Sequence, residues 1–376
     1  MSEGRWFFFA GGGTGGHIYP AIAIASYLRE HHLVSRILWI GGGRKLEVEL
    51  LRSQGFDFKQ IKASPFPRAF SQKWIGFPFK LLLSFFQSFL ILLQFRPTVI
   101  IGMGSFHSYP VVMLAFFFGI RSLVCEQNAS FSLTNKSLLP YVSKIATSFP
   151  QTNKDLSKKI KNKTQLVGNP IHFKILTTTR QEGIKRFNLD KDKFTLLFSG
   201  GSQGAHSLNK LGVEVIQLLN RQKKMRDEIQ VIFITGDDDL KWVENSLTPL
   251  KIKSLVFSYL QEIQYAYAAS HLAICRSGAT TIAELTALGL PAILIPYPYA
   301  TGRHQYENAR ILQVKGAALL LVEDNLTGDR LKTSIIDLIE DKKLLKKMSK
   351  QSKELGRPQA TREMVELICD LANQAK

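Results

Sequence analysis

Apolar residues along this chain gather in short, nearly continuous runs of strand length, at Arg5–Ala10, Arg36–Ile40, Val99–Gly102 and Ser122–Glu126. Between the first of them lie stretches with helical spacing, at about Ile18–Glu30 and Lys45–Ser53. Runs without polar alternation are strands buried on both faces, and strands alternating with helices predict a parallel sheet covered on two sides. The rhythm pauses at Gly168-Asn169-Pro170, a turn signal followed by a polar, basic stretch, which predicts an interdomain hinge. It then restarts with predicted strands at Phe194–Ser199, Gln230–Thr235, Leu255–Phe257, Leu272–Cys275 and Pro291–Pro296. The pattern predicts an α/β protein of two doubly wound, Rossmann-like lobes, 1–166 and 167–356.

The most apolar segment, Phe77–Phe95, is interrupted by Lys80, Ser84, Gln87, Ser88 and Gln94, and by that count falls short of a membrane span. On a helical period the polar positions collect into a loose stripe, leaving a wide face that includes Leu82, Phe85, Phe86 and Phe89. Two readings follow. The face packs on its own sheet, or its surplus phenylalanines, flanked by Arg68, Lys73 and Arg96 and extended by Phe116-Phe117-Phe118, dip into an anionic leaflet.

Composition narrows the partners. With 376 residues and a formal net charge of +19, the chain is long enough for two cores and is suited to a polyanion. Nucleic acid is the poorest fit, because the basic residues are spread over both halves without a zinc spacing, an aromatic recognition motif or a basic tail. Three distant cysteines, Cys125, Cys275 and Cys369, indicate neither a disulfide framework nor a metal site and suit a reducing cytosol. The first apolar run is too short for a secretory signal core. The dense lysines of 342–353 read as a solvated helix face, with attraction to an anionic leaflet as the alternative.

Candidate chemistry sits at two glycine-rich turns, each between a predicted strand and a helix: Gly11-Gly12-Gly13-Thr14-Gly15-Gly16-His17 and Gly200-Gly201-Ser202-Gln203-Gly204-Ala205. Glycines let main-chain amides approach an anion, and the helix that follows adds its positive end, so a diphosphate is the first ligand to consider. A nicotinamide dinucleotide is disfavoured, since Ile40 is followed by Gly41-Gly42-Gly43 and not by the acidic residue that would hold a ribose. Neither turn carries the Gly-Lys-Ser/Thr of a nucleoside triphosphatase. His17, beside the first turn, is a candidate general base, and Glu126, ending a strand, is a second candidate for base or orienting group. In the second half, Cys275-Arg276-Ser277-Gly278-Ala279-Thr280-Thr281-Ile282-Ala283-Glu284 forms another anion nest, and Pro296–Ala309 reads as a ligand rim.

In order, Gly-Gly-Thr-Gly-Gly-His, Gly102-Met103-Gly104-Ser105, Glu126-Gln127-Asn128, Gly168-Asn169-Pro170, the second glycine turn, Arg276-Ser277-Gly278-Ala279 and His304-Gln305 with Asn308-Ala309 span nearly the whole chain. Together they resemble the MurG family, peripheral membrane glycosyltransferases that add N-acetylglucosamine from UDP-N-acetylglucosamine (UDP-GlcNAc) to lipid I, forming lipid II for peptidoglycan. The resemblance implies a GT-B fold, with two lobes separated by a cleft and the terminal helix, 357–376, packing back on the first. It implies that Thr14, Gly15, Gly16 and Asn128 approach the donor from the first lobe. Ser202 would meet the diphosphate, Leu260 the uracil, Ala279, Thr280, Thr281 and Ile282 the phosphates, Glu284 the ribose, and His304 with Gln305 the sugar. His172 stands where members commonly carry arginine, so a donor contact there differs.

The implied reaction is an inverting displacement at the anomeric carbon, with His17 or Glu126 as base. It needs no cofactor and no metal, and Asp237-Asp238-Asp239 is read as a solvated turn. The expected place is the cytoplasmic face of the cell membrane, on an anionic surface, with an undecaprenyl-diphosphate-linked acceptor. Two other readings remain: a diacylglycerol glycosyltransferase, and a non-catalytic lipid-diphosphate binder.

Overall fold

The computed structural model describes residues 6–13, 15–67 and 73–374. The chain divides into two units, Met1–His172 with Gln359–Lys376, and Phe173–Pro358. In the first, the elements run β1 (Trp6–Ala10), α1 (Gly15–Glu30), β2 (Arg36–Gly41), α2 (Lys45–Ser53), β3 (Asp57–Gln60), α3 (Lys73–Phe95), β4 (Val99–Gly102), α4 (Ser108–Phe117), β5 (Arg121–Glu126), α5 (Leu133–Leu138), β6 (Lys144–Thr147), α6 (Lys158–Lys161) and β7 (Thr164–Leu166). All pair in parallel in one seven-stranded sheet ordered β3-β2-β1-β4-β5-β6-β7. The strand order reverses between β1 and β4, where the loops at the carboxyl ends diverge and leave a crevice.

The unbroken Phe7-Phe8-Phe9 run reflects burial on both sheet faces. Phe7 and Phe9 pack with Ile18, Ile24 and Leu28 of α1, and Phe8 packs with Val111, Val112 and Ala115 of α4. The second unit runs α7 (Phe173–Thr177), α8 (Arg180–Arg186), β8 (Phe194–Ser199), α9 (His206–Arg221), α10 (Lys223–Glu228), β9 (Ile229–Ile234), α11 (Leu240–Leu247), β10 (Lys253–Phe257), α12 (Ile263–Ala269), β11 (Leu272–Cys275), α13 (Ala279–Leu288), β12 (Ala292–Leu294), α14 (His304–Val314), β13 (Ala318–Leu320), α15 (Gly328–Glu340) and α16 (Lys342–Leu355). Its six strands are also parallel, ordered β10-β9-β8-β11-β12-β13, and reverse between β8 and β11.

The terminal helix, α17 (Ala360–Asn373), belongs to the first unit. It buries Met364, Val365, Ile368 and Leu371 against the same core as Phe7 and Trp39. The division falls after His172, six residues beyond the boundary expected at 166. The cause is that Val167 sits in the first unit's core, and Ile171 exchanges hydrogen bonds with the Thr361 hydroxyl of α17, at 3.1 Å and 2.7 Å.

Four strands were not expected. β3 and β7 are polar edge strands, while β6 and β13 are too short, at four and three residues, to stand out against neighbouring helical apolar positions.

The α3 segment departs most from its expected form. Gly76–Phe95 is long and apolar enough to cross a membrane, despite the polar interruptions. Yet Ser84 and Ser88 are buried, their hydroxyls satisfied by the carbonyls of Leu81 and Ser84 at 2.7 Å, while several large apolar side chains face out. Phe79 is 73 % exposed, Leu82 67 % and Phe86 59 %. Of the four expected patch residues, Leu82 and Phe86 are outward. Phe85 and Phe89 are half-buried, against Tyr109 and Phe118, because α4 covers that side. Arg68 lies outside the described residues.

Candidate active site

In the first unit, the glycine turn crosses the β1/β4 reversal. Several elements hold it. The Met103 amide donates to Ala10 O, the Gly12 amide to Ser105 Oγ at 3.1 Å, Trp39 Nε1 to Gly11 O at 3.0 Å, and Arg44 Nη1 to Gly13 O at 2.8 Å. Gly11, Gly12 and Gly13 have φ of 145°, 158° and 99°, within the region that favours glycine. Gly15 opens α1, with Gly16 exposed and His17 half-buried in the helix's first turn. Amides of a first helical turn lack intrahelical acceptors, so this end is suited to negative charge. Thr14 lies outside the described residues.

His107 is buried behind the turn, where burial and Arg44 push its imidazole down to about 4, so it is neutral near pH 7.

Glu126 ends β5 with its side chain buried. Its carboxylate accepts from the Asn128 amide (3.1 Å), Asn128 Nδ2 (3.3 Å), the Ser132 amide (2.9 Å) and Asn135 Nδ2 (2.8 Å). Burial raises its pKa while those bonds oppose the rise. Those four bonds tie the 127–135 loop to the end of β5.

In the second unit, the turn after β8 occupies the β8/β11 reversal with Ser202 half-buried in its turn. Gly204, at φ 73°, packs so closely that a Cβ there would lie 2.1 Å from Thr235 O. Across the reversal, Gly278 caps α13, placing Ala279, Thr280, Thr281 and Ile282 in its first turn. Glu284 follows one turn later, and Tyr267 Oη donates to its Oε2 at 2.8 Å. Burial pushes the Glu284 carboxyl up to about 7, the Tyr267 bond opposing.

The Arg276 guanidinium knits the site. It donates to the carbonyls of Ile295 (3.1 Å) and Pro296 (3.2 Å) and to Ser207 Oγ (2.9 Å), and is ion-paired to Glu323. The rim is tied back as well: Gln305 Oε1 accepts from the Tyr297 amide, its carbonyl accepts from Ser277 Oγ, and His304 Nδ1 lies 2.6 Å from Thr301 O.

The second unit therefore brings together the ends of β8, β11 and β12 with Ser202, Ala279–Ile282, Glu284, His304 and Gln305. Leu260 follows the outer strand β10, half-buried, and His172 is the last residue of the first unit's main segment. Asp239 corrects one expectation: it is buried, accepting from Asn209 Nδ2 at 2.7 Å and lying 2.7 Å from His206 Nδ1, so the aspartate run is not simply a solvated turn. Among the described residues, no three His, Cys, Asp or Glu side chains cluster as metal ligands would. Residue reasoning passed over Tyr267, Glu323, Asn135 and Glu47. Tyr267 and Glu323 act through contacts distant in sequence, with no local signal, and Glu47, at the third position of α2, follows an arginine N-cap, which gives no capping signature in the sequence.

Residues 7–147 match the glycosyltransferase family 28 N-terminal domain, and residues 195–364 match the glycosyltransferase family 28 C-terminal domain. Over 372 residues the chain is 42 % identical to a Halothermothrix orenii protein named UDP-N-acetylglucosamine--N-acetylmuramyl-(pentapeptide) pyrophosphoryl-undecaprenol N-acetylglucosamine transferase, covering 97 % of this chain and 98 % of that one. The chain belongs to the MurG family of glycosyltransferases. A Thermoanaerobacter relative of the same name is 36 % identical, covering 96 % of this chain and 98 % of its own.

Among solved structures, MurG from Acinetobacter baumannii has the same fold, with a TM-score of 0.74 at 24 % identity over 97 % of this chain and 99 % of that one. A UDP-GlcNAc 2-epimerase from Neisseria meningitidis, bound to UDP-GlcNAc, shares it at a TM-score of 0.69 and 13 % identity, covering 97 % of this chain and 100 % of its own. The GT-B class implied by the motifs is the class of this glycosyltransferase.

Proposed function

We propose that this enzyme moves N-acetylglucosamine from UDP-GlcNAc to the MurNAc hydroxyl of lipid I, forming lipid II. The observation that carries the reading is full-length identity of 42 % to a transferase so named, in a chain that places a glycine turn at each sheet's reversal. The acceptor oxygen bonds to the anomeric carbon as the bond from that carbon to the UDP oxygen breaks, inverting the centre. The electron pair leaves with UDP, and the hydroxyl proton passes to His17, in the first turn of α1 beside the glycine turn. Glu126 shapes the loop that presents Asn128.

On the donor side, Glu284 accepts the ribose hydroxyls, and the amides at Ser202 and at the start of α13 meet the diphosphate. Well-aimed donors of this kind are worth about 3–4 kcal/mol each where charge develops, so the departing UDP is stabilised without a metal or cofactor. Phe79, Leu82 and Phe86, with exposed Phe116 and Phe117, rest on an anionic membrane surface at the cytoplasmic face, where a polyprenyl acceptor is held.

Incubation with labelled UDP-GlcNAc and a lipid I analogue, in EDTA, tests the reading. A labelled disaccharide-lipid is expected. Transfer of glucose to diacylglycerol instead, or donor binding without transfer, contradicts it.

A further inference from the structure

Glu47 is fully buried beneath the first glycine turn. Its Oε2 accepts from the amides of Gly43 (2.9 Å) and Arg44 (3.3 Å). Its Oε1 has no hydrogen-bond partner and presses on backbone: a Cβ at Gly12 would lie 1.8 Å from it, and one at Gly41 2.0 Å. Two glycines, Gly12 in the turn and Gly41 at the end of β2, thus make room for one carboxyl group. Burial raises its pKa, while the backbone amides of Arg44, Gly43 and Gly42 and the Arg44 charge oppose the rise.

Above it, the exposed Arg44 reaches across to Gly13 O through Nη1 at 2.8 Å. A guanidinium has five donors in a planar fork matched to phosphate oxygens, so one bond to the turn leaves most of its capacity for a ligand. The turn has need of it. The Gly11 amide is committed to Ile40 O and the Gly12 amide to Ser105 Oγ, so two of the amides that glycine supplies cannot turn to an anion.

We propose that Arg44 binds a substrate diphosphate at the first glycine turn, and that Glu47 is the positioning residue that fixes Gly43 and Arg44 in place for it. The assignment rests on the transferase reading above. Both substrates of that reaction carry a diphosphate, and the kinetics separate them.

Steady-state assays on the full chain, varying UDP-GlcNAc and the lipid acceptor in turn, test it. Arg44→Ala is expected to raise the KM of one substrate about tenfold, the lower end for a charged hydrogen bond, with kcat and Tm nearly unchanged. The substrate affected names the diphosphate. Arg44→Lys restores part of the loss. Glu47→Gln, which can keep both amide bonds, stays close to wild type, while Glu47→Ala raises the same KM. The double variant Arg44→Ala/Glu47→Ala has a KM no higher than Arg44→Ala alone, because Glu47 acts through Arg44.

Unchanged KM values in Arg44→Ala, or a parallel fall of kcat and Tm, overturn the proposal, and additive losses in the double variant overturn the role of Glu47. If Glu47→Ala does not fold, Glu47→Gln and the Arg44 variants decide. Wild-type protein that transfers nothing overturns the transferase reading together with this assignment. Active wild type beside an unaffected Arg44→Ala overturns this assignment alone.

Discussion

The two units share one architecture and use their surfaces in opposite ways. Each has a parallel sheet with a glycine turn at the reversal, β1/β4 in one and β8/β11 in the other. The first unit holds its turn by side chains arriving from neighbouring loops, Ser105, Trp39 and Arg44, with Glu47 packed underneath. The second holds its turn by backbone contact, Gly204 on Thr235, and spends a buried ion pair, Arg276 with Glu323, on the loops across the reversal.

Outside, the first unit shows phenylalanines and leucines along α3 and the end of α4. The second instead has outer helices such as α16, whose lysines are exposed while Met348 and Ser352 are buried. An apolar face suits a lipid and a polar one suits water, the contrast that the proposed membrane-held acceptor and soluble donor would use.

That division can be broken from either side. The largest effect is expected from His17→Ala, a loss of about 10²- to 10⁴-fold in kcat with UDP-GlcNAc binding intact, as calorimetry would check. Glu126→Ala acts instead through stability. It strands the Asn128 and Ser132 amides, while Asn135 Nδ2 keeps its bond to Cys125 O, which at about 1–3 kcal/mol per group predicts a loss of about 2 kcal/mol or more by thermal or urea unfolding. Should His17→Ala lower Tm as Glu126→Ala does, the two roles were assigned wrongly.

On the donor side, Glu284→Ala should raise the KM for UDP-GlcNAc about tenfold to a hundredfold, leaving the acceptor KM alone. The wild-type donor KM should also fall between pH 6 and pH 8. The Glu284 carboxyl titrates near 7 and accepts ribose hydroxyls best when ionised. For folding the sign is reversed: a carboxyl raised from about 4.5 to about 7 binds its proton more tightly in the folded state, so its contribution to stability declines as pH rises through that window. Glu284→Gln should flatten the pH dependence of the donor KM. The smallest effect on the isolated protein belongs to Phe79→Ser/Phe86→Ser. Binding to vesicles containing phosphatidylglycerol should weaken about tenfold or more, as expected for burying part of two phenyl rings, with soluble-donor binding and Tm unchanged.

Much of this was legible in the chain because the decisive features are local. The Phe7-Phe8-Phe9 run, the glycine turns and the Gly278-capped start of α13 are written in consecutive residues. What escaped reading depends on residues far apart. The boundary after His172 depends on Ile171 meeting Thr361, 190 positions away. The burial of Ser84 and Ser88 in α3 was not legible, because a hydroxyl that bonds its own helix carbonyl can be buried cheaply and composition does not record that bond. Nor does the sequence record that Glu126, a strand-end carboxylate that could as well have faced water, is buried with four donors.

The account turns on one step: an acceptor oxygen displaces UDP from the far side of the sugar, with main-chain amides meeting the charge. Proton NMR of the disaccharide product formed in EDTA tests it most directly. An α-linked UDP-GlcNAc donor should give a β-linked product with one UDP released per sugar transferred. A retained α linkage, or a reaction abolished by chelation, would contradict it.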